Sequence, residues 1–469
     1  MSSSCAHNSL LLEPSRHAAI AGYERPTAGQ LADAMATKAS TSRGGKNASQ
    51  VSKDTTPAYS SGTFPAPLVL PKDDLAWDPE CPGQDMAEWL GERKKISAKA
   101  KRRVVYVAAP PSVSADAPFI NDWTTPCSMK ESEHSASGAS APNTQDAVEY
   151  LEAFYHGVPV QMLPTPLTFA LWDDGGPRPA KRARTKAKSS QPKYISLQTS
   201  TSATRIRTRV DPNGTFPKQL CLDDILDCAI GDLLPSDAYA LLLLTDHDLY
   251  EGEEDDFCCG RAYGGSRVAV VSTARYRPEM DRESKVEREH AWPASHCKEY
   301  VEGVCCAHEE EGGVKQKGGK RRKAAEGKSE GADPSHSAAL DSPLALAVRA
   351  HVGSLSSIST SISTRSLSEL WLSRVCRTAA HELGHCFGMD HCVYYACSMQ
   401  GTASLVEDAR QPPYLCPVDL AKLMAAVGGD GETIKARYRA LKEYCTGHEG
   451  TPLFDSYAAW IRGRLEDIG

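Results

Sequence analysis

The sequence predicts an α/β (α+β) fold: a mixed twisted sheet with helices packed on it, one of which carries the reactive residues, and a small helical C-terminal subdomain. Three observations predict it. Short apolar, β-rich runs alternate with stretches of helical period through the middle of the chain. A run near residue 381 places histidines at helical spacing. After residue 416 the spacing is helical throughout, at 420–427, 434–444 and 454–465.

Residues 1–62 are rich in Ser, Ala, Thr and Gly with little periodicity, which is the composition of a disordered tail. Residues 63–469 are expected to form one domain. Its first ordered signals are 66–70 and the helix-like 85–90. The apolar run 104–107, followed by Pro110 and Pro111, predicts a buried strand, 147–155 a helix, and 158–163 another strand. Residues 173–193 turn polar and basic, so they are expected to be an insertion. Beyond it, 194–198 predicts a strand, 220–230 a helix, and 239–244 the most buried strand of the sheet. Arg267–Thr273, preceded by Gly260, Gly264 and Gly265, is a candidate for the edge strand that borders a cleft, with an internal strand as the equal alternative. Residues 308–342 form a second, longer insertion, which a domain tolerates because loop closure costs rise only with the logarithm of length. A helix is expected to begin near Ser366 or Ser368 and to run toward His385, and residues 354–363 before it receive no element.

That helix carries His381–Glu382–Leu–Gly–His385, then Gly388 and His391. His381 and His385 lie one above the other on one face, so both imidazoles can meet one Zn²⁺ ion. Glu382 points to the side, where a carboxylate can act as a general base without taking a coordination position. Gly388 can adopt the left-handed conformation that ends the helix and turns the chain back, bringing His391 in as third ligand. Three protein ligands with one position left open are the pattern of a catalytic zinc. Met399, downstream, is the candidate for a turn beneath the metal.

The chain continues His391–Cys392, Cys397–Ser398–Met399, and in this it resembles the archaemetzincins, zinc metallopeptidases of the metzincin clan. Residues 245–276 and 400–423 look like that family's sheet region and C-terminal part, so the resemblance covers most of the second half. It implies a metzincin-like zincin fold, a peptide or protein substrate, and hydrolysis of peptide bonds with Glu382 as general base, in the manner of a protease, with an aminopeptidase as one form of it. It also implies a second, structural zinc held by four cysteines. Here Cys392, Cys397 and Cys416 are present, but Asp419 stands at the fourth position. A carboxylate oxygen is an acceptable zinc ligand, so a three-cysteine, one-aspartate site is chemically possible; the alternative is an empty site with buried thiols, and Cys386 and Cys445 are further candidates. Tyr394 and Tyr395 are close enough in sequence to serve a reaction intermediate, although packing is the commoner role. A second functional reading is a zinc-stabilised binding module without peptidase activity; an acid–base glutamate beside an open zinc position argues against it.

Composition narrows the classes. With 469 residues, 41% hydrophobic and 24% charged, there is chain enough for one large domain with tails. A net charge of −7 gives no global case for nucleic-acid binding. The basic runs 93–103, 181–188 and 315–323 read as solvated loops or import signals. No run reaches the length of a membrane span and the N-terminus has no secretory pattern, so the expectation is an intracellular protein, cytoplasmic or nuclear. In a reducing compartment the 16 cysteines are metal ligands or free thiols. His296, Cys297, Cys305, Cys306 and His308 cluster in sequence without a recognisable zinc spacing, and Cys258–Cys259 read as small buried thiols.

Overall fold

The computed structural model describes residues 5–37, 60–92, 101–130, 138–173, 192–311, 341–360 and 363–469. In chain order its strands are β1 (Val104–Ala108), β2 (Ser112–Val113), β3 (Val160–Met162), β4 (Thr168–Leu171), β5 (Tyr194–Gln198), β6 (Ala203–Arg209), β7 (Gln219–Cys221), β8 (Ala238–Thr245), β9 (Leu249–Tyr250), β10 (Gly260–Tyr263) and β11 (Val268–Ser272).

One sheet runs β10-β11-β8-β1-β3. All its pairs are parallel except β10 with β11, which is antiparallel. Every residue of β8 and β11 is buried, as a parallel strand covered on both faces requires. Their alternating side chains serve two cores. Ala240, Leu242, Leu244, Ala269 and Val271 face Trp371, Val375, Ala379 and Leu383 of the helix Thr364–Cys386. Leu241, Leu243, Val268 and Val270 face a second layer with Phe169, Ile195, Leu197 and Ile206. That layer is a second sheet, β2-β4-β5-β6-β7-β9, of which sequence periodicity showed only β5.

The strand bordering the cleft is not Arg267–Thr273. β11 is internal, paired on both sides, and β10 is the edge. The region 220–230 begins as β7, continues as the helix Leu222–Cys228 and closes with one π turn at Ala229–Leu233.

The expected disordered tail is ordered over 5–37. Ser15 caps the helix Arg16–Ala21, and Thr27 with Gln30 forms a capping box for Ala28–Ala34. Tyr23 Oη donates to Val393 O at 2.8 Å, docking this segment beside the histidine loop. Residues 354–360, expected without structure, end the helix Pro343–Thr360. The central parts of both insertions, 174–191 and 312–340, lie outside the described residues, as do the basic runs 181–188 and 315–323; residues 308–311 end the helix Lys298–Glu311.

The C-terminal helices Pro417–Val427, Gly431–Gly447 and Pro452–Ile468 agree with the sequence spacing. Their apolar faces, with Leu423, Tyr438, Leu441 and Trp460, enter the same core as the histidine-bearing helix.

Candidate functional site

The helix Thr364–Cys386 starts at Ser363, whose side chain accepts from Ser366 N. Buried pairs fix its rotation. Arg374 bonds both oxygens of Asp281 at 2.6 and 3.0 Å, Arg377 meets Asp408, and Trp371 Nε1 donates to Thr273 O at 2.8 Å. Tyr155 Oη donates to Ala380 O at 2.5 Å, one residue before the first histidine. Breaking any one partner of such buried pairs leaves an uncompensated charge or donor, so the helix is held in one orientation.

Its last turn presents His381 and His385 into a cleft of about 950 Å³, which Glu382, His391, Gly260 and Arg261 also line. Gly388 takes φ 81°, the left-handed turn that the sequence predicts, and the chain returns with His391. The three rings lie with centroids 4.8, 5.4 and 5.1 Å apart. One donor atom from each lies within 4.8 Å of the others.

The ring tautomers follow from their outer bonds. His381 Nδ1 donates to Ser398 O and His385 Nδ1 to Met389 O, both at 2.7 Å. Each Nε2 is then left with a lone pair, and the two face one another at 3.1 Å. Two facing lone pairs repel unless a cation sits between them. Tetrahedral Zn–N bonds put ligand nitrogens roughly 3.3 Å apart, close to what is seen. Burial first, then the neighbouring His385 and His391, holds His381 well below the ordinary imidazole range, and burial holds His385 down to about 4. Neutral imidazoles are the form that binds metal.

Glu382 is 7% exposed, lines the same cleft as the histidines and lies against Gly260 of β10. Burial pushes its carboxyl up to about 8, with Arg261 opposing and Glu251 adding. Met399 lies beneath the helix: a Cβ added to Gly384 would stand 2.3 Å from its Sδ. The small residue inside His381–His385 is therefore what admits the methionine.

The second predicted set also converges. Cys392, Cys397, Cys416 and Asp419 are all buried, with donor atoms within 4.8 Å of one another. Cys392 Sγ and Cys416 Sγ are 3.6 Å apart, while Asp419 Oδ2 accepts from Cys397 Sγ at 3.2 Å and Cys416 Sγ at 3.5 Å. Cys386 and Cys445, the other candidates, do not join this cluster. Sequence reasoning missed Lys422, whose Nζ donates to Asp419 Oδ1 at 3.0 Å from 2% exposure. The signal was available, because Asp419 and Lys422 are three apart on one helix and must share a face. Burial pushes the Asp419 carboxyl up to about 7, with Cys392 adding and Lys422 opposing.

Tyr394 and Tyr395 do not reach the cleft chemistry. Tyr394 Oη donates to Gly83 O at 2.8 Å and Tyr395 packs edge-on to Phe64. Both hold the loop to the segment 60–92, which also reaches it through Gln84 and Trp89, donating to Gly388 O and Phe387 O at 3.0 Å each. Cys258 and Cys259 line the cleft without forming a ligand group with the histidines. Arg261 and Asp390, both lining it, carried no signal in the sequence.

Residues 344–424 match the model of Peptidase family M54. Archaemetzincin-2 of Macaca fascicularis is 44% identical over 87 residues, 18% of this chain and 23% of the relative. Archaemetzincin-2 of Homo sapiens is 47% identical over 75 residues, 16% of this chain and 20% of the relative. The chain thus spans less than a quarter of the length of these curated relatives. The crystal structure of an archaemetzincin from Methanopyrus kandleri aligns over 70% of this chain and 97% of its own, with 17% identity and a TM-score of 0.29.

Proposed function

We propose that this chain is a zinc-dependent metallopeptidase that hydrolyses peptide bonds at the His381–His385–His391 cluster, a reading supported by the match of residues 344–424 to the model of Peptidase family M54. The observation that carries the reading is the pair of neutral imidazoles whose Nε2 lone pairs face one another at 3.1 Å beside a buried carboxyl. His381, His385 and His391 would hold the ion, and the donor set fits zinc. When bound, the ion supplies Lewis-acid polarisation of the scissile carbonyl and of water.

The residues do the rest. Glu382 takes a proton from water as its oxygen adds to the carbonyl carbon. The C–N bond then breaks as Glu382 returns that proton to the departing amine, leaving a carboxylic acid and an amine. Zn²⁺ held by the three histidines would favour the carboxylate form of Glu382, opposing the effect of its burial, and so leave it able to accept the proton. The edge strand β10 runs along the cleft, and among the described residues it pairs only with β11, so an extended peptide can add to its outer side. Asp255, Asp256 and Asp390 also line the cleft, and carboxylates there suit a free α-amino group, which favours aminopeptidase action.

Cys392, Cys397, Cys416 and Asp419 would hold a second, structural zinc. The S···S distance of 3.6 Å supports this, since Zn–S bonds near 2.3 Å place tetrahedral sulfurs roughly 3.8 Å apart. Lys422 supplies a positive charge against the anionic set.

The test is zinc content and peptide hydrolysis together, on protein purified without added metal. His385→Ala should lose one zinc and all hydrolysis, and Cys397→Ser should lose a different zinc. Hydrolysis undiminished in His385→Ala overturns the reading; zinc retained without hydrolysis of any peptide leaves a zinc-stabilised binding module in its place.

A further inference from the structure

A third convergence of metal-ligating side chains lies away from the cleft and from the cysteine–aspartate cluster. Near the N-terminus the chain runs antiparallel to residues 296–298, with Leu11 N donating to His296 O at 2.7 Å, Lys298 N to Ser9 O at 2.9 Å, and Leu10 bridging Cys297. This seats Cys5 and His7 against His290. The Cys5 Sγ and one ring nitrogen from each histidine lie within 4.8 Å of one another.

Several features of this cluster point to a ligand. His7 Nε2 and His290 Nε2 are both buried without a hydrogen-bond partner. Buried imidazole nitrogens normally find one, so each exception asks for an atom to fill it. His290 Nδ1 lies 3.1 Å from Glu287 Oε2; donating there leaves Nε2 with its lone pair, the carboxylate–histidine arrangement that prepares an imidazole for metal. The His290 ring is further fixed by stacking on Tyr300 at 4.1 Å. Cys297, 1% exposed, brings a second thiol into hydrogen bonding with Cys5. His7 itself sits at φ 54°, a left-handed conformation that a non-glycine residue keeps only where its surroundings hold it.

We propose that Cys5, His7 and His290 form a further metal site that takes Zn²⁺ and fastens the N-terminal segment to the body of the protein, with Cys297 beside Cys5. One thiol and two imidazoles are donor types that zinc prefers, and three of them converge here. Of the five residues that cluster by sequence around 296–308, none is in the ligand group, and Cys297 adjoins it through Cys5. Cys305 packs with Leu68 and Leu70, Cys306 accepts from Arg16, and His308 lies edge-on to His17. The site is independent of the peptidase reading, because its ligands touch neither the cleft histidines nor the Cys392 cluster.

The experiment is zinc content of tag-free, full-length protein purified under reducing conditions without added metal. Cys5→Ser with His7→Ala should hold one zinc fewer per chain than wild type while peptide hydrolysis is unchanged. His290→Ala should lose that same equivalent, and the three substitutions together should lose no more than one. The equivalents lost by His385→Ala and by Cys397→Ser should remain separate from it. As a second readout, zinc added to chelator-treated wild type should protect residues 5–13 from proteolysis, and should fail to do so in the double variant. Unchanged zinc content in both the double variant and His290→Ala overturns the proposal; so does a Cys5–Cys297 disulfide in protein that carries no zinc there.

Discussion

The histidine cluster and the cysteine–aspartate cluster share one loop, yet they sit in opposite surroundings. His391 and Cys392 are neighbours in sequence; the first is exposed to the cleft and the second is 5% exposed in the core. The histidine set is open to the cleft, whereas the cysteine set is closed and paired with a buried lysine through Asp419. The loop between them shows why both are present. Ser398 O orients His381, Met399 lies under Gly384, and Met399 N is held by Cys397 Sγ at 3.5 Å. One cluster thus shapes the backbone that orients the other, and only the histidine set opens to the cleft.

The largest effect should separate the two sets. Glu382→Gln keeps the shape and the hydrogen-bonding capacity of the side chain but cannot carry the proton, so turnover should fall about 10²- to 10⁴-fold. Zinc content and melting temperature should stay at wild-type values. A Glu382→Gln protein that loses zinc as well would show that the carboxyl holds the site together rather than moving a proton.

Cys397→Ser acts on the other set. It removes a thiol that bonds Asp419, Cys416 N and Met399 N, so stability should fall by several kcal/mol, on the order of 4, as zinc is lost. Hydrolysis should fall too, through the displaced Ser398 and Met399. If the variant melts early but hydrolyses peptide at the wild-type rate per folded molecule, the two clusters are independent and the comparison breaks.

A histidine outside both sets sharpens the contrast between metal-ready and structural imidazoles. His247 donates from Nε2 to Ile120 O at 3.1 Å, and burial holds it down to about 4. The unfolded chain binds this proton near pH 6.5, so between those values only the unfolded state takes it up. Stability is therefore full above 6.5 and is lost as pH falls toward 4, by about 3 kcal/mol for this one residue. His247→Gln should flatten that part of the acid-unfolding curve in chelator-treated protein; an unchanged slope would show that His247 does not titrate on unfolding.

What the sequence showed and what it hid follow the same division. The histidine helix was legible because its information is local: ligands four apart, a glycine at the turn, and a period of 3.6 residues. The Cys392, Cys397, Cys416 and Asp419 set was legible only through family resemblance, since no periodicity links residue 392 to residue 419. β10 was not legible as the edge, because Val268–Ser272 and Gly260–Tyr263 differ in their neighbours, which tertiary pairing decides. Order in residues 5–37 was hidden by a Ser- and Ala-rich composition, although Thr27 and Gln30 spell a capping box. β6, reading ATRIRTR, buries only Ile206, so it gave too little apolar pattern to mark a strand.

The smallest predicted effect is the most local. Gly384→Ala adds one methyl where Met399 Sδ would lie 2.3 Å and its Cε 2.9 Å away. Overpacking of this kind costs about 1–3 kcal/mol, and the strain falls between His381 and His385 of the helix. The helix cannot move aside, since Trp371, Arg374, Arg377 and the Ala380 carbonyl are all bonded to other elements. Met399 must shift instead, and with it Ser398 O and the orientation of His381. The expected result is a lower melting temperature with hydrolysis reduced more than zinc content. Met399→Ala in the Gly384→Ala background should restore much of the lost stability, because it removes the atoms in conflict. If it restores none, the methionine is not what the glycine makes room for, and the connection drawn between the loop and the histidine face fails at that point.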